Sequence, residues 1–295
     1  MRTFPVVPIL STCLVMAALA VAQPALASAA VNAWSQPPLT NPQTIELTSA
    51  NAGDIDLADD QDYILTCPDA VLVLSGYLQV RGGHNVVFQN CDIELTSADW
   101  AARFESQTGT LWIDDVHFGG ADLTGGFQLQ EPGDTTVTLE DVLFDEVHGS
   151  ESTNHAECVQ TWSGPQQLLV DGLQCTTEYQ GLFLLPNQWD STTHETNWDF
   201  RNVEITGDGG YDLWLGDVLG GAIPSLQVDD VYDCGPGEPR DYDGTTDGGR
   251  AWADVKSCPQ APASVVSLTG DPAAPVTGVA DADPPAPRDG TLAAF

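Results

Sequence analysis

Lysine is nearly missing from this sequence: it occurs once, at Lys256, and Lys plus Arg number 8 in 295 residues against 43 Asp plus Glu. A net charge of −35 excludes ordinary nucleic-acid binding, because nothing is at hand to neutralise phosphates. It also opposes tight binding of a polyanion unless cations bridge the two. Asp outnumbers Glu by 31 to 12. Hydrated carboxylates with so little lysine describe a solvated surface adapted to high salt. The functional alternative is calcium binding, so Ca2+ is the cofactor the composition leaves open. No C-x-x-C occurs, so zinc is not expected and no metal-ligating residue is assigned. Asn-Gly is absent as well, and the single Asp-Gly between strand-like segments, Asp171-Gly172, falls inside a repeat. Tight two-residue hairpins therefore have little to be built from.

What is present begins with an export signal. Arg2 precedes a nearly unbroken apolar run over Val6–Ala22, and Ala25-Leu26-Ala27 offers a small-x-small cleavage site. The expected organisation is a signal peptide at 1–27, an irregular lead-in at 28–43, a folded region at 44–258 and a disordered Pro/Ala-rich tail at 259–295. The chain reads as secreted, extracellular or periplasmic, with no membrane insertion once the signal is removed, and as a monomer. Beyond the signal lie six cysteines, Cys67, Cys91, Cys158, Cys175, Cys234 and Cys258, an even number that suggests disulfides in an exported chain. Six allow about 15 connectivities. Nearest-neighbour pairing gives Cys67–Cys91, Cys158–Cys175 and Cys234–Cys258.

A short pattern returns six times: apolar, any, apolar, any, then Asn, Asp or Gly, then apolar. The copies are V-V-F-Q-N-C-D-I, L-W-I-D-D-V-H-F, V-T-L-E-D-V-L-F, L-L-V-D-G-L-Q-C, W-D-F-R-N-V-E-I and L-Q-V-D-D-V-Y-D. Each reads as two period-2 strands meeting at a sharp bend. The bend residues are Asn90, Asp115, Asp141, Gly172, Asn202 and Asp230, types that tolerate a left-handed backbone. They are spaced by 25, 26, 31, 30 and 28 residues. A third strand precedes each pair, at Leu78–Val80, Ala102–Glu105, Phe127–Gln130, Val159–Trp162, Leu182–Leu185 and Leu213–Leu215. Three short strands per repeat predict an all-β fold, a right-handed single-stranded parallel β-helix of about seven coils. One coil cannot bury its apolar face alone; stacked coils share a continuous core.

These coils, with D-Y-I-L-T-C-P (62–68) and G-G-H-N-V-V-F-Q-N-C (82–91), resemble secreted bacterial proteins of the right-handed β-helix, pectate-lyase-like superfamily. H-A-E-C-V-Q (155–160) is similar to an H-A-D-G-x-Q segment found in many of them, with Glu157 for Asp and Cys158 for Gly. The resemblance implies a polysaccharide partner and covers residues 44–234. It does not carry over a catalytic pattern. Asp114-Asp115 and Asp229-Asp230 fall at bends, V-H-G at 147–149 lacks the first glycine of G-H-G, and no arginine base stands beside a set of calcium-binding aspartates.

The alternation in Val159–Trp162 turns Val159 toward the core and Gln160 and Trp162 outward. In the same strand of the preceding coils stand Gln128 and Gln130, then Arg103 and Glu105. Stacked in register, these make an outward ladder of amides, an arginine, a carboxylate and an indole, a surface suited to sugar hydroxyls and ring faces. His155 and Glu157 lie at the loop-to-strand junction just before it, where a carboxylate-oriented imidazole can do acid–base work. Two function classes follow. One is a polysaccharide lyase or glycoside hydrolase using His155 and Glu157, with Arg103, Gln128, Gln130, Gln160 and Trp162 holding substrate. The other is a non-catalytic carbohydrate-binding or surface-attachment module. His148 and His194 lie in neighbouring polar loops. Trp198 and Trp214 read as packing residues and Trp189 as a loop exception.

Overall fold

A computed structural model describes residues 34–97, 99–121, 123–131, 134–186, 188, 197–207, 212–216, 225–236, 240–242 and 251–258. The signal segment, the tail, Trp189 and His194 lie outside the described residues. Residues 34–42 have no regular structure, and β1 begins at Gln43.

Every strand pair is parallel, and the chain winds into a β-solenoid of about six turns. One sheet runs through β1 (Gln43–Glu46), β3 (Tyr63–Thr66), β6 (Val86–Leu95), β8 (Thr110–Gly119), β10 (Thr136–Val147), β12 (Gln167–Thr177), β14 (Asn197–Gly207), β16 (Ser225–Asp233) and β18 (Lys256–Ser257). Short β4 (Leu72–Leu74) joins it along the second half of β6. The other sheet runs through β2 (Asp54–Leu57), β5 (Leu78–Gly82), β7 (Asp99–Glu105), β9 (Leu123–Gln130), β11 (Val159–Ser163), β13 (Leu182–Leu184), β15 (Leu213–Gly216) and β17 (Arg240–Tyr242). Among the described residues no strand pair is antiparallel, which disposes of a sandwich.

The bends explain why one sequence pattern makes two strand directions. Asn90, Asp115, Asp141, Gly172, Asn202 and Asp230 all have positive φ, between 48° and 83°. Each reverses the in–out alternation of β6, β8, β10, β12, β14 or β16 at its midpoint, so the strand turns a corner while still hydrogen-bonding its neighbours. Before the bend, Phe88, Ile113, Leu139, Val170 and Phe200 stack in register toward the interior; after it, Ile93, Phe118, Phe144, Cys175 and Ile205 do the same. Phe127 from the other sheet meets Phe104, Phe118 and Phe144 at ring-centroid distances of 5.5, 5.7 and 4.9 Å. Full burial of each such ring stabilises by about 1.5–3 kcal/mol, which is how a stack of thin turns holds together.

The three nearest-neighbour disulfides form: Cys67–Cys91, Cys158–Cys175 and Cys234–Cys258. They fit an oxidising compartment. Cys158 precedes β11 and Cys175 lies in the inward row of β12, so the second bond ties the start of one sheet's strand to the other sheet across the core. Among the described residues, no helix is long and apolar enough to cross a membrane.

Candidate functional site

Two columns of outward side chains run along the second sheet, because alternation in β5, β7, β9, β11, β13 and β15 sends Val80, Phe104, Leu129, Val159, Leu182 and Leu213 inward. Register places Gln79, Arg103, Gln128, Gln160, Phe183 and Trp214 side by side on successive turns. Arg81, Glu105 and Gln130 form the second column. The predicted ladder of Arg103, Gln128, Gln130 and Gln160 therefore exists, with two corrections.

Trp162 does not occupy the rung beside Gln130. The β9–β11 register slips between Thr161 and Ser163, so Ser163 pairs with Gln130 and the indole sits at the slip. The ladder is also not a solvated face: Gln79, Gln128 and Gln160 are only 7, 8 and 4% exposed. Arg103 pairs with Glu105 and donates from Nη2 to Gln130 Oε1 at 2.7 Å. Arg81 donates to Asp56 at 2.7 Å and to Asp54 at 3.2 Å. Arg81 and Arg103 are thus both engaged by carboxylates.

Arg103, Phe183 and Trp214 are the less buried members of the column, and the last two form its aromatic end. Phe183 and Trp214 are half-buried with ring centroids 5.8 Å apart, and the His155 ring lies 6.3 Å from Phe183 and 5.7 Å from Tyr179. Phe183 and Trp214 escaped the sequence reading, which took Trp214 for packing. The signal was there: L-F-L and L-W-L alternate, and their leucines claim the inside. Trp198 does pack inward, its Nε1 donating to the Pro165 carbonyl at 3.1 Å.

His155 and Glu157 meet across Ala156, which takes φ +55°. His155 Nδ1 lies 3.5 Å from Glu157 Oε1; the imidazole is half-exposed, whereas the Glu157 side chain is 4% exposed. Glu157 is therefore not the solvated loop residue its type suggests. Its backbone is fixed by the Gly126 N–H donating to its carbonyl at 2.6 Å, and its Oε2 is buried without a hydrogen-bond partner. Gln160 Oε1 is in the same condition. The Glu157 carboxylate, aided by Glu151, raises the His155 pKa above its ordinary value and holds the imidazolium against the opposing effect of burial. Such a pair can donate a proton, or accept one above that raised pKa.

His148 does not join this pair. Its Nδ1 lies 3.2 Å from Glu178 Oε1, and with Glu146 the two residues bring one donor atom each within 4.8 Å. This is the group of metal-ligand type found among the described residues. Its imidazole makes it a poor fit for Ca2+, which takes oxygen ligands. The acidic bend column fits no better: burial and then Asp171 and Asp115 push the Asp141 carboxyl up, and burial followed by Asp141 and Asp115 does the same to Asp114, as expected of neighbours that repel.

No protein-family model, curated protein or solved structure matches the chain.

Proposed function

We propose that this is an exported, right-handed β-helix protein of the pectate-lyase-like kind that binds an extracellular polysaccharide along the outward column of its second sheet. The observation that carries the reading is the register that sets Gln160, Phe183 and Trp214 on consecutive turns, with His155 and Tyr179 beside them. Turns about 4.8 Å apart space these rungs closely enough for one sugar ring to touch two of them. Aromatic faces cover the C–H side of a sugar, and the half-buried Phe183 and Trp214 supply two on adjacent turns. Arg81 and Arg103 are held by carboxylates and the chain carries a net charge of −35, so a neutral glycan suits this face better than a polyuronate.

The approach of His155 Nδ1 to buried Glu157 supports a second reading, in which the pair transfers a proton during cleavage. A lyase would use His155 as base toward a uronate; a hydrolase would need a second carboxylate across the scissile bond. The test is a polysaccharide panel scored for retention, new reducing ends and absorbance from unsaturated uronates, with calcium and salt varied. Binding without cleavage, weakened about three- to tenfold by Trp214→Ala or Phe183→Ala, supports the first reading. Cleavage abolished by His155→Ala supports the second. Failure to bind or cleave any glycan ends both.

A further inference from the structure

We infer that Glu146, His148 and Glu178 form a binding site for one divalent transition-metal ion of the zinc class, at the corner where β10 and β12 end. Glu146 is the penultimate residue of β10, His148 follows that strand, and Glu178 follows β12. Register brings them together: Val147 pairs with Thr177, and the Glu178 N–H donates to the Val147 carbonyl at 3.0 Å. Two adjacent turns therefore supply the ligands, and the inference does not rest on the polysaccharide reading.

The donors are oriented from behind. The His148 N–H donates to the Leu123 carbonyl at 2.9 Å, and the His148 carbonyl accepts from Asn154 Nδ2 at 2.6 Å. The Gly149 N–H donates to Glu178 Oε2 at 2.9 Å, leaving Oε1 toward the imidazole. The first two bonds fix the His148 backbone, and the third acts on a ligating carboxylate directly, as outer hydrogen bonds do in metal sites. Tetrahedral ligands at about 2.0–2.2 Å from a metal stand roughly 3.3–3.6 Å from each other. The 3.2 Å between His148 Nδ1 and Glu178 Oε1 is already close to that edge. Glu146 is exposed, so its carboxylate can swing in to close the wider gaps. Water completes the shell.

The chemistry of the set selects the ion. One imidazole with two carboxylates suits zinc-like ions, disfavours the oxygen-only shells of calcium and magnesium, and lacks the thiolate of softer sites. A plain ion pair would account for His148 and Glu178 alone. The second carboxylate adds repulsion that a dication offsets. Once bound, the ion would tie two turns to the loop that carries His155.

The test uses untagged full-length chain, stripped with a chelator and dialysed, then titrated with Zn2+ and separately with Ca2+ by calorimetry. Co2+ serves as a spectroscopic probe of coordination. The expected result is one Zn2+ per chain, bound at least about tenfold more tightly than Ca2+. His148→Ala and Glu178→Gln should each weaken Zn2+ at least about tenfold, and Glu146→Gln should weaken it less. Melting in chelator should be unchanged in all three variants, while the rise in melting temperature on adding Zn2+ is lost in His148→Ala. Zn2+ binding at full strength in His148→Ala overturns the assignment, as does Ca2+ bound as tightly as Zn2+, or no Zn2+ bound at all.

Discussion

The left-handed bend is the feature on which the solenoid turns, and Asp141 is the place to weigh it. Its φ is +48° and its side chain is exposed, so a substitution there tests the backbone with little disturbance of packing. An ordinary L-residue in that conformation costs roughly 1–2 kcal/mol, and Asn and Asp recover part of this through local hydrogen bonds. The charge must be separated from the backbone. Burial and the neighbouring Asp171 and Asp115 raise the Asp141 carboxyl, so Asp141→Asn removes a repulsion and should match or slightly exceed the wild type. Against that reference Asp141→Val should lose about 1–2 kcal/mol, and Asp141→Gly should stay close to Asn. Leu143 is the control: it lies two residues on, is 37% exposed and is not in the left-handed region. Leu143→Val should change stability by less than about 0.5 kcal/mol. Urea unfolding with the slope held in common gives the differences, and a melting shift of roughly 2–8 °C between Asn and Val is the thermal equivalent. If Asn and Val at Asp141 are equally stable, the bend is not what selects these residue types.

Three more measurements follow from the interior and the site. Phe127→Ala removes the ring that meets Phe104, Phe118 and Phe144 and should cost about 3–5 kcal/mol in urea unfolding; a loss below about 2 kcal/mol would show that the turns do not share one core. Glu131 is fully buried, and burial holds its carboxyl well above the ordinary range despite the Gln107 N–H donating to it at 2.9 Å. Its folded pKa is raised, so it weakens the fold as pH rises from about 4.5; Glu131→Gln should raise the melting temperature at pH 7 and flatten that fall, and an unchanged pH profile would refute the burial argument. His155 also has a raised folded pKa, owed to Glu157, so its stabilising share is complete below about 6.5 and is lost as pH rises through the folded value. The difference in stability between wild type and His155→Ala should therefore shrink on the alkaline side of 6.5, and a difference constant with pH would show that the pair is not charged.

Much of the fold was legible because its determinants are local. A residue type that accepts positive φ, set between two alternating triplets, names a corner without any knowledge of what lies across it. Cysteines one repeat apart pair for the same reason. The site was less legible. Alternation alone put Gln128 and Gln160 on one column, but the slip that displaces Trp162 depends on how β9 and β11 align, which neither strand encodes by itself. Glu157 has the composition of a surface residue and is buried only because Gly126 and the strand beyond it close against the loop. Trp214 was read as packing because it lies within a strand, without weighing the inward leucines on either side. The corner of Glu146, His148 and Glu178 left a trace in its spacing: the first and last of these stand about as far apart as Asp141 and Gly172, which are 31 residues apart. The register shift between Phe144 and Val147 then sets which of their neighbours meet.

Because each rung of the outward column comes from a different turn while the inward leucines and phenylalanines carry the cohesion, the outer face and the stability of the frame are written in separate letters of the same strand. A lineage can therefore exchange Gln160, Phe183 or Trp214 singly, or lengthen the loop that leads into β11, without renegotiating the interior. Such an architecture redraws its outer face by small edits and keeps its frame while doing so.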